Sequence, residues 1–342
     1  MHMADALISP AVGGTLWAFS AGLIGYSSKK LNKELDDQKV PLMGVLGAFI
    51  FAAQMINFTI PATGSSGHLG GGMILAILLG PYAAFLTMAS VLTVQALFFA
   101  DGGLLALGCN IFNLGFFPCF VIYPLIFKKM IPNNDLKQHK ILTAALISSI
   151  IGLQMGAFSV VLETVFSGIS ELPFSSFVLL MQPIHLGIGI VEGLATAAIV
   201  MFIWKARPEI MNSAVHASPI GDISIRNVLI GLLIAVGITG GILSWFASTN
   251  PDGLEWAMMK TSGTEELKIP DKGIHESLAT IQNKTAFLPD YGFKTGEAEA
   301  ETGGHESWPS VNIGTSVSGL VGGTITLFTV GLFAIMLKRR KA

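Results

Sequence analysis

Seven histidines are the imidazole ligands that this 342-residue chain offers, and two of them have neighbours suited to metal chemistry. His2 stands directly behind the amino terminus in MHMADALISP. The α-amine of Met1, the backbone nitrogen of His2 and the His2 imidazole can close adjacent five- and six-membered chelate rings around one ion. A deprotonated amide nitrogen in such a set favours Ni(II) or Cu(II), which tetragonal nitrogen sites select. Three nitrogens leave one position of a square plane, and His68 in NFTIPATGSSGHLGGG (57–72) could fill it. Gly67, Gly70, Gly71 and Gly72 would let a terminus approach the backbone closely. The blander reading makes His2 a frayed terminal residue and His68 the neighbour of a helix N-cap. Glycine-rich loops of this kind also bind anions at helix N-termini.

A second group lies within apolar sequence. His185 and Glu192, in MQPIHLGIGIVEGLATAAIV, are seven residues apart and share one helix face. An intramembrane carboxylate marks a functional candidate by default. The alternative is a structural hydrogen bond from Glu192 to His185 or to a neighbouring helix. Asn110, Asn113 and Gln95 add polar groups that could support a pocket. His139, His216, His275 and His305 read as solvated, and Cys109 and Cys119 as small buried hydrophobes. The chain has no G-x-x-x-x-G-K-[ST] phosphate loop, no H-E-x-x-H pair and no G-x-S-x-G elbow.

The elements that must position these residues are membrane helices. Hydrophobic residues make up 51% of the chain and charged residues 12%, about half the usual charged share. Apolar stretches fall at 11–27, 41–60, 69–99, 104–127, 141–166, 177–204, 227–247 and 311–337. The third would span about 46 Å as one helix, against a hydrocarbon core of about 30 Å. Gly80-Pro81 divides it into a short helix 69–79 and a helix 81–99, because Pro removes a donor and disfavours helix before it. The expected fold is therefore an all-α polytopic membrane protein of nine transmembrane helices, with the N-terminus outside and the C-terminus inside. That arrangement puts 15 of the 20 basic residues on the inner side; the other five share the external loop 248–310 with 11 acids. A single helix over 69–99 would move Lys128 and Lys129 outside. In this topology Met1, His2 and the loop bearing His68 emerge together.

Residues 1–204 form a seven-helix unit, 205–225 a polar cytoplasmic linker, and 226–342 a two-helix hairpin around loop 248–310. The composition of that loop predicts partial disorder. Small residues at i, i+4 spacing, Gly44, Ala48 and Ala52 on the second helix and Ala18 and Gly22 on the first, permit close approach of another membrane subunit.

Three stretches together resemble a known family. MHMADALISP, then SSGHLGGGMILAILLGPYAAFLTMASVLTVQALFFADGGLLALGCNIFNLG, then PIHLGIGIVEGLATAAIV are similar to the CbiM/NikM substrate-binding S component of energy-coupling-factor (ECF) nickel/cobalt transporters. The C-terminal part, with PDGLEWA (251–257) and PDYGF (289–293), is similar to the small accessory N component, here fused. The resemblance implies a seven-helix S-component bundle whose N-terminal segment inserts its tip into the substrate pocket. It implies a metal held by the Met1 amine, the His2 amide and imidazole, and His68. Relatives often continue Met-His with Ile, Pro and Asp; here Met3-Ala4-Asp5 follows, which leaves the ligand atoms unchanged.

The implied partners are a coupling (T) membrane subunit, two cytoplasmic ATPases and membrane lipid, with no nucleic acid. The transported substrate would be Ni2+ or Co2+, with no ATP on this chain, and the amide-nitrogen plane and the fusion lean toward nickel. Two other readings stay open at this point. A stand-alone secondary carrier would be expected to use several intramembrane acids, and Glu192 is nearly alone. A membrane-embedded metalloenzyme would need an open coordination position, which four planar nitrogens hardly leave.

Overall fold

The computed structural model describes residues 2–32, 34–132, 137–170, 172–265, 267–268, 273–294, 309 and 311–339. Met1, His305, Lys33, Lys272, Arg340 and Lys341 lie outside the described residues. The described chain is mainly helical, with a single two-stranded ribbon. Each apolar stretch carries a helix: α1 Pro10–Leu31, α2 Lys39–Gln54, α3 Gly72–Leu79, α4 Pro81–Phe99, α5 Leu107–Met130, α6 Gln138–Ser167, α7 Phe174–Ala206. After α8 (Pro208–His216) and α9 (Arg226–Gly241) come α10 (Gly253–Ser262), α11 (Ile274–Thr285) and α12 (Ile313–Arg339).

Local chemistry accounts for the boundaries. Ser9 caps α1 by accepting from Val12 N, Pro10 occupies the first helical position, and Lys29 and Lys30 sit in the last turn. The break between α3 and α4 falls at Gly80, whose φ of 81° suits glycine, with Pro81 opening the next helix. In α5 the segment Phe112–Phe127 is wound wider, with i→i+5 geometry around Pro118 and Pro124.

Five helices, α4, α5, α6, α7 and α12, are long and apolar enough to cross a membrane. α2 and α9 are shorter apolar helices. α3 rises only about 12 Å and is buried along its whole length, so it cannot span a bilayer by itself. Apolar side chains turned outward from α6, α7, α9 and α12, among them Phe158, Leu194, Ile234 and Phe328, suit a lipid surround.

The helical hairpin at the C-terminus is packed into the bundle. Gly322 of α12 lies against the rings of Phe51 and Phe99 with no room for a Cβ, and Gly319 meets the backbone of Gly240. On α2, Gly44 and Gly47 face Leu327, Thr326 and Val330 of α12. The small-residue face of α2, expected to receive another subunit, is therefore covered by this chain's own last helix. On α1, Gly14, Gly22 and Gly25 have open space where a Cβ would stand.

The linker and the described part of the external loop carry helices that pack against the rest of the chain. Within the linker, α8 buries Ile210, Met211 and Ala214, and Gly221 N donates to Asp36 Oδ2 at 2.8 Å. The described part of 248–310 forms α10, α11 and the turn Pro289–Tyr291. Leu254, Ala257, Met258 and Leu288 are buried there, enough apolar contact to order a loop that looks polar on average.

Candidate metal site

The N-terminal segment reaches His2 through a series of specific tethers. Met3 is fully buried; its N donates to Asn110 Oδ1 at 2.8 Å, and its carbonyl accepts from Gly103 N at 2.9 Å and from Asn110 Nδ2 at 3.3 Å. Asp5 is buried and accepts from Ala106 N at 2.9 Å, ahead of α5, where a helix start favours an anion. Leu7 and Ile8 complete the plug.

His2 and His68 meet there. Their rings stack with centroids 4.9 Å apart and an interplanar angle of 20°. His68 Nδ1 lies 3.0 Å from the carbonyl of Leu69, which makes Nδ1 the donor and leaves the lone pair on Nε2. That Nε2 is buried without a hydrogen-bond partner, as is Nε2 of His2. His2 Nδ1 lies 3.3 Å from Asp101 Oδ1. Burial pulls the His2 imidazole down to about 3, against the influence of Asp252 and Gln95, and the His68 imidazole to about 4. Both rings are therefore neutral at pH 7, the form a metal needs. Among the described residues no three His, Cys, Asp or Glu side chains gather as a metal cluster. Met1, whose amine the sequence offers as a further donor, lies outside the described residues.

The loop that carries His68 is gripped from both sides. Gly70 N donates to Glu192 Oε2 at 2.6 Å, and Gln54 Nε2 donates to the Gly70 carbonyl at 2.8 Å. Gln95 Nε2 donates in turn to Gln54 Oε1 at 2.9 Å. Glu192 thus binds backbone and not His185, although the two share a helix face. His185 Nδ1 bonds the Met181 carbonyl at 2.8 Å, and the buried ring lines a small pocket with Gly67, His68 and Asp252. Asn113 Nδ2 donates to Glu163 Oε2 at 2.8 Å and lies 3.8 Å from Met3 Sδ. Cys109 and Cys119 are buried free thiols, as expected.

The external helices complete the enclosure. Ser66 N donates to the Pro251 carbonyl at 2.8 Å, joining the strand Ser65–Gly67, which pairs with Phe58–Ile60, to the start of α10. His275, expected to be solvated, is 5% exposed, and its Nε2 lies 2.9 Å from the carbonyl of Ile8. The expectation failed because the N-terminal plug offers α11 the carbonyl of Ile8 as a partner. Gln282 Nε2 donates to the carbonyls of Ala96 and Gly102 at 2.9 and 2.8 Å. Tyr291 donates to Asp101 Oδ2 at 2.5 Å, and burial pushes the Asp101 carboxyl up against the opposing effects of Tyr291 and His68. Sequence reasoning assigned no role to Asp101, Gln54, Asp252 or Tyr291. The signal available was that Asp101 is a lone acid between two apolar stretches on the side of His2 and His68. His139 and His216 are exposed, as expected.

Comparison with known proteins follows the same division of the chain. Residues 2–210 match the model of the CbiM family, described as the cobalt uptake substrate-specific transmembrane region. The chain belongs to this family. Residues 226–339 match the PDGLE domain. A putative metal transport protein of Haloquadratum walsbyi is 37% identical over 62% of the chain and 93% of its own length. A putative fused nickel transport protein NikMN of Archaeoglobus fulgidus is 36% identical over 62% of the chain and 68% of its length. The fused nickel transport protein NikMN of Rhodobacter capsulatus is 31% identical over 62% of the chain and 64% of its length. Two crystal structures of transition metal transporters, one truncated, align at 31% and 32% identity with TM-scores of 0.53, over 60% and 61% of the chain and 99% and 94% of theirs.

This CbiM-family chain is a multi-pass membrane protein in which a CbiM region is fused to a PDGLE region. The letters of the second region have physical meaning here. Asp252 caps α10 by accepting from Leu254 N and Glu255 N, and Glu255 Oε2 accepts from Asp252 N, a reciprocal capping box. Gly253 leaves room for Ile184 and His185 of α7, and Leu254 is buried.

Proposed function

We propose that this chain is the substrate-specific membrane component of an ECF-type ABC transporter that imports Ni2+ or Co2+, with nickel preferred. In this reading the metal is substrate, taken at the outer face by the Met1 amine, the His2 amide and imidazole, and His68 Nε2. The observation that carries the reading is the stacked His2–His68 pair with neutral rings and a buried, unpartnered Nε2 on His68. Asn110, Asn113 and Gln95 support the N-terminal plug and the His68 loop, Glu192 holds Gly70, and His185 shapes the pocket beside His68. Residues 1–204 act as the metal-binding bundle, 205–225 as the cytoplasmic linker and 226–342 as the accessory hairpin, in a nine-helix topology with the N-terminus outside, in which α3 makes its crossing together with the chain that flanks it. A coupling subunit and two ATPases would supply the energy for inward release, since the chain has no phosphate loop. A full amide-nitrogen plane gives Ni2+ a ligand-field advantage.

The test is Ni2+ binding by purified protein with its native terminus, compared with protein carrying one extra N-terminal residue. The extension should abolish tight binding, and His68→Ala should weaken it by at least about a hundredfold, the scale of losing a metal ligand. His305→Ala should bind like the parent. Equal affinity of the native and extended forms would remove the terminal chelate.

A further inference from the structure

Between the N-terminal plug, the turn at residues 100–103 and helices α10 and α11 lies a cavity of about 640 Å³. Among the described residues its walls carry five carboxylates, Asp5, Asp101, Asp252, Glu255 and Asp290, against one lysine, Lys268. A dication with six waters needs about 180 Å³ at the volume of liquid water, so the space admits it fully hydrated. His2 also lines this cavity; its side chain is 6% exposed, and its Nε2 has no hydrogen-bond partner. The acids differ in how far they are committed. Asp5 accepts from Ala106 N, and Asp101 is held between His2 and Tyr291. Asp252 and Glu255 belong to the capping box at the mouth of α10. Asp252 borders both this cavity and the small pocket formed with His68 and His185. It is therefore shared between the two spaces.

We propose that this cavity is a waiting site for a hydrated divalent cation, held through its water shell by Asp252, Glu255 and Asp101, from which the ion passes to His2 and His68. The inference rests on the metal-capture reading above and adds a second, weaker site built jointly by the CbiM and PDGLE regions. A concave wall of like charge concentrates counter-ions and raises association rates by about 10- to 1,000-fold, an effect that salt suppresses. The waiting site and the chelate differ in chemistry. The first binds water-clad ions through carboxylates and discriminates little among dications, whereas the second strips the ion and selects by nitrogen geometry.

The experiment uses full-length protein with its native terminus and Ni2+ as the probe. In His68→Ala protein, equilibrium dialysis should find, besides the residual terminal chelate, one weak Ni2+ equivalent that weakens about tenfold between low and moderate salt. Adding Asp252→Asn with Glu255→Gln should remove that equivalent. Asn and Gln keep the cap and the capping box, so α10 stays folded. The same pair of substitutions in otherwise native protein should slow Ni2+ association, followed by stopped-flow absorbance, about tenfold at low salt. Lys268→Ala, which removes the one lysine in the lining, should speed it. A His68→Ala protein with no weak equivalent, a weak equivalent indifferent to Asp252 and Glu255, or an unchanged association rate would each overturn the waiting site. A native protein that never binds Ni2+ tightly would instead sink the capture reading, while the weak equivalent would stay measurable in the His68→Ala protein.

Discussion

At the residue scale, the neutral state of His2 and His68 would set the pH response of the proposed metal capture. Both imidazoles are already deprotonated above about pH 5, since burial holds them at about 3 and about 4. In the proposed chelate the protons displaced by the metal would then come from the Met1 amine, ordinarily near 7.7–8.0, and from the His2 amide. Affinity therefore rises with pH and falls with acid, by about 100-fold per unit between about pH 5 and 7 for two protons. Calorimetry in buffers of different ionisation enthalpy checks the count; a release of three or four would mean that the imidazoles start protonated. Asn110 is the residue that aligns the terminus. Asn110→Ala leaves Met3 N and the buried plug short of a partner, at a cost of about 1–3 kcal/mol. Ni2+ affinity should drop about 10- to 100-fold while the helices remain, measured by titration alongside circular dichroism. His2, His68 and Asn110 could all be named from sequence, because a chelating terminus and polar residues in apolar runs are local features. Asp101 could not, since its partners His2 and Tyr291 are remote in the chain.

At the element scale, the Gly80-Pro81 break and the helical course of each apolar stretch follow from composition and proline chemistry. The partner of the small-residue face on α2 does not. Close approach of helices is available to any neighbour, and only the packed bundle selects α12. Gly322→Leu would force a side chain into the rings of Phe51 and Phe99. The expected result is a loss of about 1–3 kcal/mol or more, or a displaced α12, read as a lower unfolding temperature in detergent. The same substitution at Gly22 of α1, where a Cβ meets open space, should leave the isolated chain as stable as before. The order in α10 was likewise hidden, because its apolar residues are few and bury themselves against distant elements.

At the scale of the whole molecule, the PDGLE region acts as a clamp across the CbiM region. It holds the plug through His275, the 100–103 turn through Gln282 and Tyr291, and the ribbon before His68 through Pro251. His275→Ala removes the bond to the Ile8 carbonyl and leaves that buried acceptor unpaired, a cost of about 1–3 kcal/mol. Hydrogen exchange in residues 2–8 should accelerate by about tenfold or more, and Ni2+ should dissociate faster, with the helices otherwise unchanged. Exchange rates equal to those of the parent would mean that the clamp does not restrain the plug.

Sequence by itself determined the apolar helices, the break at Gly80-Pro81, the polar residues within apolar runs and the bringing together of His2 and His68. These are properties of composition, spacing and neighbouring bonds, which a short window of chain contains. The tertiary structure alone decided that Glu192 serves Gly70 and not His185, that α12 covers α2, that His275 holds the Ile8 carbonyl, and that Asp101 and Asp252 border His2 and His68. Those contacts join residues as many as 267 positions apart, and their geometry exists only once the helices have packed.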